Sequence, residues 1–307
     1  MMQRQPIHMP PTALLLPYPA LADEIGRVLR DDAVQVPQRL VQALPGGGSL
    51  FVMPALDRQI VITKLITFTP ANAGTSRPII QGDVVVFDIT SGQRLLMLDG
   101  PTVTARRTAA VSLLAAQQLA PNRDGPLLIV GAGVQGQAHL EAFAAGLKVR
   151  EVVIASRSDA SARSLAKHAQ ALGLRARVVA DPNSALADCP LVVTCTPASA
   201  VVLHALPRDD AFVAAIGAFT PQMVELSAGL CQHFARQGTV VLDTLDARHE
   251  AGDLLQAGLD MAQLASLRDV VRGPAAQAKG PVLFKSCGWA GWDLAAARTA
   301  LHRMKFS

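Results

Sequence analysis

The sequence predicts an α/β protein in which a doubly wound parallel sheet is joined to an α+β domain assembled from both ends of the chain. Three observations carry this. Residues 127–180 and 191–244 alternate short Val/Ile/Leu runs with amphipathic segments, the pattern of a parallel sheet covered by helices on both faces. Residues 41–100 carry strand-like runs separated by glycine-rich turns, the pattern of an antiparallel sheet. The tail 282–304 returns to a strand–turn–helix pattern that is expected to pack on the N-terminal half. The expected units are 1–113, 114–281 and 282–307, with the first and third forming one discontinuous domain.

Each element has a local reason. Residues 12–18 lie among Pro10, Pro11, Pro17 and Pro19 and are expected to be extended, because a residue before proline is biased away from the helical region. Pro19 opens a helix over 19–30 whose apolar face is Leu21, Ile25, Val28 and Leu29. Strands are expected at 41–45, 49–56, 59–68, 83–89 and 94–100, with turns at Gly46-Gly47-Gly48, at 71–74 and at Ser91-Gly92. The alanine- and leucine-rich stretch 102–120 predicts a helix joining the two domains. Beyond it come a strand at 127–133, a helix at 135–146, a strand at 151–156, a helix at 159–172 and strands at 175–180, 191–196, 211–217 and 239–244.

Composition removes several function classes. Half of the 307 residues are hydrophobic and 17% are charged, which excludes disorder and points to a packed soluble protein. The net charge of +4 is mild and its basic residues are scattered, and aromatics make up only 4%, so no nucleic-acid partner is expected. Cys189, Cys195, Cys231 and Cys287 form no CxxC pair, which argues for reduced thiols in the cytoplasm rather than a zinc site or redox dithiol. Prolines interrupt the N-terminus where a secretory signal would run, and no apolar stretch is long enough for a membrane span. No His, Asp and Glu set has metal-ligand spacing, so no metal is expected.

Gly131, Gly133 and Gly136 follow one apolar run, open a helix and are followed by a second strand, the context in which GxGxxG binds a dinucleotide. The first glycine permits the tight turn, the second lets backbone approach a pyrophosphate, and the third lets helix and strand pack closely. The helix N-terminus, with Val134 and Gln135, offers free N–H groups to phosphate. After the second strand an NAD-preferring site carries Asp or Glu, whereas this chain reads Ser156-Arg157-Ser158. A 2′-phosphate would meet no carboxylate there and could be held by Arg157 with its flanking serines. NADP(H) is therefore favoured; NAD(H), with Arg157 stacked on adenine, stays open. Thr196, ending the 191–196 run, and Ser286, in the Ser286-x-Gly288 turn, complete the expected cofactor set.

Several segments then resemble the ornithine cyclodeaminase/mu-crystallin family. They are Pro37-Gln38-Arg39, Met53-Pro54, Thr63-Lys64, Gln81-Gly82 with Asp88, Asp99-Gly100 and the run Thr104 to Ala110. GAGVQGQAHL (131–140), GAFTPQMVEL (217–226), VLDT (241–244), HEAGDL (249–254) and LFKSCGWAGWDLAAA (283–297) follow in order, so the resemblance runs nearly end to end. It implies a Rossmann domain, a substrate and dimerisation domain built from both termini, a homodimer, and a small imino or amino acid bound between the domains.

The resemblance also implies that Arg39, Lys64 and Arg107 gather around the substrate. Chemically this suits a carboxylate, which a guanidinium can hold bidentately while a second cation neutralises it. Lys64 lies in the apolar run IVITKLITF, where an unpaired ammonium is costly, which favours a functional role. Arg107 is chosen over the adjacent Arg106 from the Arg-Thr-Ala-Ala pattern alone. Cyclodeaminases of the family carry a glutamate before the Met-Pro pair and an aspartate in a GGD-type turn, and the matching positions here are Phe51 and Phe219. Phenylalanines shuttle no protons but can enclose an apolar ring. The expectation is NADPH-dependent reduction of a cyclic ketimine carboxylate, Δ1-pyrroline-2-carboxylate or Δ1-piperideine-2-carboxylate, with Lys64 as the catalytic residue. Alternatives are an ornithine cyclodeaminase, an alanine-type dehydrogenase, or a non-catalytic protein that holds NADPH and a small ligand. Asp243, Glu225 and Asp293 match family positions but read equally well as caps or structural hydrogen-bond partners, and His139 and His249 as packing and cap.

Overall fold

A computed structural model of the chain describes residues 10–72, 74–197, 199–274 and 280–305. Ala73 of the expected 71–74 turn lies outside the described residues.

The chain begins with α1 (Thr12–Leu15) and α2 (Tyr18–Arg30). The short helix corrects the extended reading of 12–18. The restriction imposed by Pro17 falls on Leu16 (φ −123°, ψ 60°), which leaves room for one turn before it, and burial of Leu15 and Leu16 fixes that turn. Five strands follow: β1 (Leu40–Leu44), β2 (Gly48–Leu56), β3 (Ile60–Phe68), β4 (Ile80–Asp88) and β5 (Arg94–Asp99). They form an antiparallel meander in chain order. In β3 the alternation is strict: Ile60, Ile62, Lys64 and Ile66 are buried while Leu65 points out, so one polar residue is threaded into the inner, apolar face.

Asp99 accepts from the N–H of Thr102 at 2.8 Å and caps α3 (Gly100–Leu119), the helix expected to join the halves. The parallel part comprises β6 (Leu127–Val130), α4 (Val134–Leu147), β7 (Glu151–Ala155), α5 (Asp159–Ala171), β8 (Arg175–Val179) and β9 (Leu191–Thr194). Then come β10 (Ser199–Leu203), β11 (Phe212–Ala215), β12 (Val224–Leu226), α6 (Ala228–Gln237), β13 (Thr239–Leu242) and α7 (Gly252–Gln256). The chain closes with β14 (Ala265–Ser266), α8 (Leu267–Arg272), β15 (Val282–Lys285) and α9 (Ala290–Lys305). Eight strands form one parallel sheet in the order β14-β13-β15-β11-β9-β6-β7-β8, and β10 pairs with β12 beside it. The α/β class and the separate antiparallel sheet are as the sequence predicts.

The tail departs from expectation in one respect. β15 does not join the N-terminal half; it inserts between β11 and β13 of the parallel sheet, in register with both. Its four residues are all buried, as a central parallel strand requires. Only α9 packs against α2, α3, β2 and β3, burying Trp292, Leu294 and Ala295 through Ala297. One core cluster runs from α2, α3, α9 and the inner face of the antiparallel sheet onto one face of the parallel sheet, and a second fills that sheet's other face. No helix among the described residues is long and apolar enough to cross a membrane.

Candidate active site

β6 and β9 lie side by side at the centre of the parallel sheet, where the strand order reverses and a crevice opens at their C-terminal ends. The glycine turn sits there. Gly131 has φ +112°, its N–H donates to Ala155 O at 2.9 Å, and a methyl group on it would come within 2.9 Å of Cys195 O. A side chain on Gly136 would lie 2.1 Å from Gly131 O, so α4 can approach β6 only because that position is glycine. Gly133 instead faces open space and begins α4 without a side-chain cap, leaving the helix N–H groups for a ligand. Val134 beside it is 72% exposed, and Gln135 Oε1 is buried with no hydrogen-bond partner.

At the end of β7, Arg157 is exposed and makes no hydrogen bond or ion pair among the described residues, and half-buried Ser156 lies beside it. Ser158 caps α5, accepting from the N–H of Ser161 at 3.2 Å. The open glycine turn, the uncapped helix start and the unengaged Arg157 fit a dinucleotide. Thr196 and Ser286 lie at the same end of the sheet, but their hydroxyls are committed. Thr196 donates through N and Oγ1 to Glu225 Oε1 at 2.7 and 2.9 Å. Ser286 Oγ donates to Asp243 Oδ2 at 2.7 Å, which also takes the N–H groups of Cys287 and Gly288. Buried Glu225 further accepts from Thr194 and Gly217, tying β9 to the loop after β11. Burial raises both carboxyls above their ordinary range, opposed at Glu225 by Lys285 and at Asp243 by its N–H and hydroxyl donors. His139 is packing: burial lowers it to about 4, and its ring bonds Gln135 O and Ser112 Oγ.

Between the antiparallel sheet and the loops after β13 and β15 lies a cleft of about 610 Å³, walled in part by Arg39, Met53, His249, Glu250, Gly288 and Trp289. Lys64, the register partner of Met53, lies behind that wall with 1% of its surface exposed. Its Nζ sits 3.0 and 2.8 Å from the two carboxylate oxygens of fully buried Asp293, from the first turn of α9. Arg107 Nε lies 3.4 Å from the same carboxylate, and the Arg107 guanidinium lies beneath Gly288 at the cleft's edge. Burial brings Lys64 down to about 8, resisted by Asp293 and assisted by Arg107 and then Arg39. Arg39 donates to Glu250 across the cleft.

The structure thus brings together Arg39, Lys64 and Arg107, from a loop, a strand and a helix. Phe51 shares the inner face of β2 with Met53 and packs against the core; Phe219 is 42% exposed in the loop after β11, on the crevice side of the sheet. Neither belongs to the cleft wall, whose apolar part comes from Val36, Pro37, Met53, Trp289 and Ala290. One site residue escaped the sequence: Glu250 passes unnoticed in HEAGDL. Asp293 stands there as a family-motif position that reads equally well as a cap, and its pairing with Lys64 and Arg107 is what the structure adds. No group of three or more His, Cys, Asp or Glu side chains among the described residues is arranged to hold a metal ion.

A dinucleotide crevice at a switch point, with a charged cleft backed by Lys64 and Arg107 at the same end of the sheet, is the arrangement of a nicotinamide-dependent oxidoreductase. The family model for the ornithine cyclodeaminase/mu-crystallin family matches residues 20–306, and the chain belongs to that family. It is 40% identical over 297 residues to Delta(1)-pyrroline-2-carboxylate reductase 1 of Burkholderia multivorans, covering 94% of this chain and 92% of that one. Identity is also 40%, over 295 residues with the same coverage, to the Delta(1)-pyrroline-2-carboxylate/Delta(1)-piperideine-2-carboxylate reductase of Azospirillum brasilense. The fold matches that of Thermococcus litoralis Delta(1)-pyrroline-2-carboxylate reductase, solved in complex with NADH and L-proline, with a TM-score of 0.83, 21% identity and 94% of each chain covered.

Proposed function

We propose that this enzyme reduces a cyclic ketimine carboxylate, Δ1-pyrroline-2-carboxylate or Δ1-piperideine-2-carboxylate, to L-proline or L-pipecolate. The observation that carries the reading is the convergence of Arg39, Lys64 and Arg107 at one cleft, at the same end of the parallel sheet as the glycine turn. Bound in the crevice, the nicotinamide would supply the hydride. Arg39 and Arg107 hold the carboxylate so that the imine carbon is positioned for attack. Lys64, with a pKa of about 8, is a proton donor poised near neutrality and supplies a proton to the ring nitrogen. Phe51 and Phe219 stand where cyclodeaminases of the family carry carboxylates, and they favour reduction over deamination. The two 40%-identical relatives, one named for both ring sizes, support the substrate class.

For the cofactor, Ser156 and the unengaged Arg157 favour NADP(H), by pairing with the 2′-phosphate. NAD(H) remains the alternative, supported by the NADH in the Thermococcus structure. We assign substrate binding and dimerisation to 1–113 with 282–307, and dinucleotide binding to 114–281, with β15 lent to the latter. The outer face of the antiparallel sheet exposes Leu65 in β3 and Leu95 and Met97 in β5, with β4 between them, and is the face through which two copies pair. The four cysteines are free, in keeping with work in the reducing cytoplasm.

The test is a substrate panel: oxidation of NADPH and NADH with pyrroline-2-carboxylate, piperideine-2-carboxylate, and pyruvate plus ammonia, alongside ammonia release from ornithine. Imine-dependent oxidation is expected. Ammonia release from ornithine without imine reduction would overturn the proposal, and activity with pyruvate plus ammonia alone would turn it into an alanine-type dehydrogenase.

A further inference from the structure

A protonated cyclic imino acid presents two opposite charges on adjacent atoms: a carboxylate on the ring carbon and a positive N–H beside it. The cleft presents the complementary pair. Arg39, just before β1, and Glu250, between the turn after β13 and α7, meet across its wall, guanidinium to carboxylate. We infer that Glu250 is a second substrate-binding residue of the reductase, its carboxylate accepting the iminium N–H while Arg39 takes the neighbouring substrate carboxylate.

The surroundings of Glu250 suit that role. It is half-buried, so its charge is poorly solvated and gains more from a cationic partner than an exposed carboxylate would. The charged and titratable groups facing it are Arg39, Asp243 at the end of β13, Asp246 and His249 on its own turn, and the Cys287 thiol after β15. Burial raises its carboxyl, Arg39 opposes, and Asp243 and Asp246 add to the rise; of these groups only Arg39 is a permanent cation. Arg39 engages Oε1, and the substrate's N–H takes the other carboxylate oxygen.

The inference rests on the ketimine-reductase reading and completes its proton account. Hydride adds to the iminium carbon and the C=N π pair settles on nitrogen as a lone pair. Of the two hydrogens the product ammonium carries, one was already on the iminium facing Glu250, and Lys64 supplies the other. Glu250, in the cleft wall, thus holds the nitrogen, whereas Phe51 and Phe219 lie outside that wall.

Calorimetric titration of the NADP⁺-loaded protein with L-proline and with tetrahydrofuran-2-carboxylate tests this, because the second ligand keeps ring and carboxylate but has no N–H. The wild type is expected to bind L-proline roughly tenfold or more tightly than the oxygen analogue, the worth of a charge-assisted hydrogen bond. In Glu250→Gln the two should bind within about threefold, through weaker L-proline alone, and Glu250→Asp should recover part of the preference. An equal loss of both ligands in Glu250→Gln would make Glu250 only a positioner of Arg39 and overturn the inference. A wild type without preference would overturn it as well. Turnover of Δ1-pyrroline-2-carboxylate by the wild type is measured in parallel. If it is absent, the reductase reading falls and takes the inference with it. If it is present while Glu250→Gln keeps the L-proline preference, the inference alone falls.

Discussion

Replacing Asp293 by asparagine removes the carboxylate that holds both buried cations of the site. The side chain keeps its volume, so the perturbation is one of charge. Lys64 Nζ lies 2.8 Å and Arg107 Nε 3.4 Å from its oxygens. At an effective dielectric of about 20, each pair at these distances amounts to roughly 5 kcal/mol of Coulomb attraction. Lys64 need not bear the whole loss, because it can shed its proton instead. Starting from about 8 in the intact site, its pKa should fall below about 7 in the variant. We expect a destabilisation of about 3–5 kcal/mol at pH 6, the cost of leaving a buried cation unpaired.

The sign with pH follows from proton counts. Between the variant's Lys64 pKa and about 8, the unfolded variant binds a proton that its folded state does not, whereas in the wild type both states bind it. The deficit must therefore shrink as pH rises through this window, by about 1.4 kcal/mol per unit of Lys64 shift. It then levels above pH 8 at the part due to Arg107. Urea unfolding of both proteins at pH 6, 7, 8 and 9 measures it. A deficit that is under about 1 kcal/mol, or the same at every pH, would refute the buried-cation reasoning.

Other outcomes follow from the same geometry. Reduction should be full below about pH 8 and fall above it as Lys64 loses its proton, and Lys64→Met should lower kcat about 10²-fold or more and abolish that limb; pH–rate profiles of the two proteins show it. Arg157→Ala should raise KM for NADPH about tenfold or more while leaving KM for NADH within about threefold, measured by initial rates with each cofactor. The pair Leu65→Glu and Met97→Glu places charges on the outer sheet face and should yield a monomer by light scattering, with the circular dichroism spectrum unchanged.

The pieces legible in the sequence were those whose signal is local. The glycine turn shows because three glycines, a strand and a helix fall within 30 residues of one another, and Arg157 because it stands where a carboxylate is the usual alternative. Lys64 shows because a charge inside IVITKLITF needs an explanation. Its partner does not: Asp293 is 229 residues away, in a helical first turn where aspartate has an ordinary capping use. Glu250 meets Arg39 across 211 residues, and neither flanking sequence hints at the other. The strand Val282–Lys285 was legible as a strand but not as a member of the parallel sheet, since a four-residue apolar run fits the interior of either sheet and only tertiary packing chooses. The turn at Thr12–Leu15 lies below the length at which periodicity speaks, and burial of Leu15 and Leu16 decides it.

The central claim is that hydride passes from a nicotinamide to the carbon of a ring imine seated by Arg39, Lys64 and Arg107. Mass spectrometry of the product formed from Δ1-pyrroline-2-carboxylate and NADPH deuterated at C4 measures this directly. The account predicts L-proline with one deuterium at the α-carbon when the transferred face is labelled, and none in an Arg107→Ala reaction run for the same time. Unlabelled proline from both cofactor faces, or no proline while ornithine releases ammonia, would contradict it.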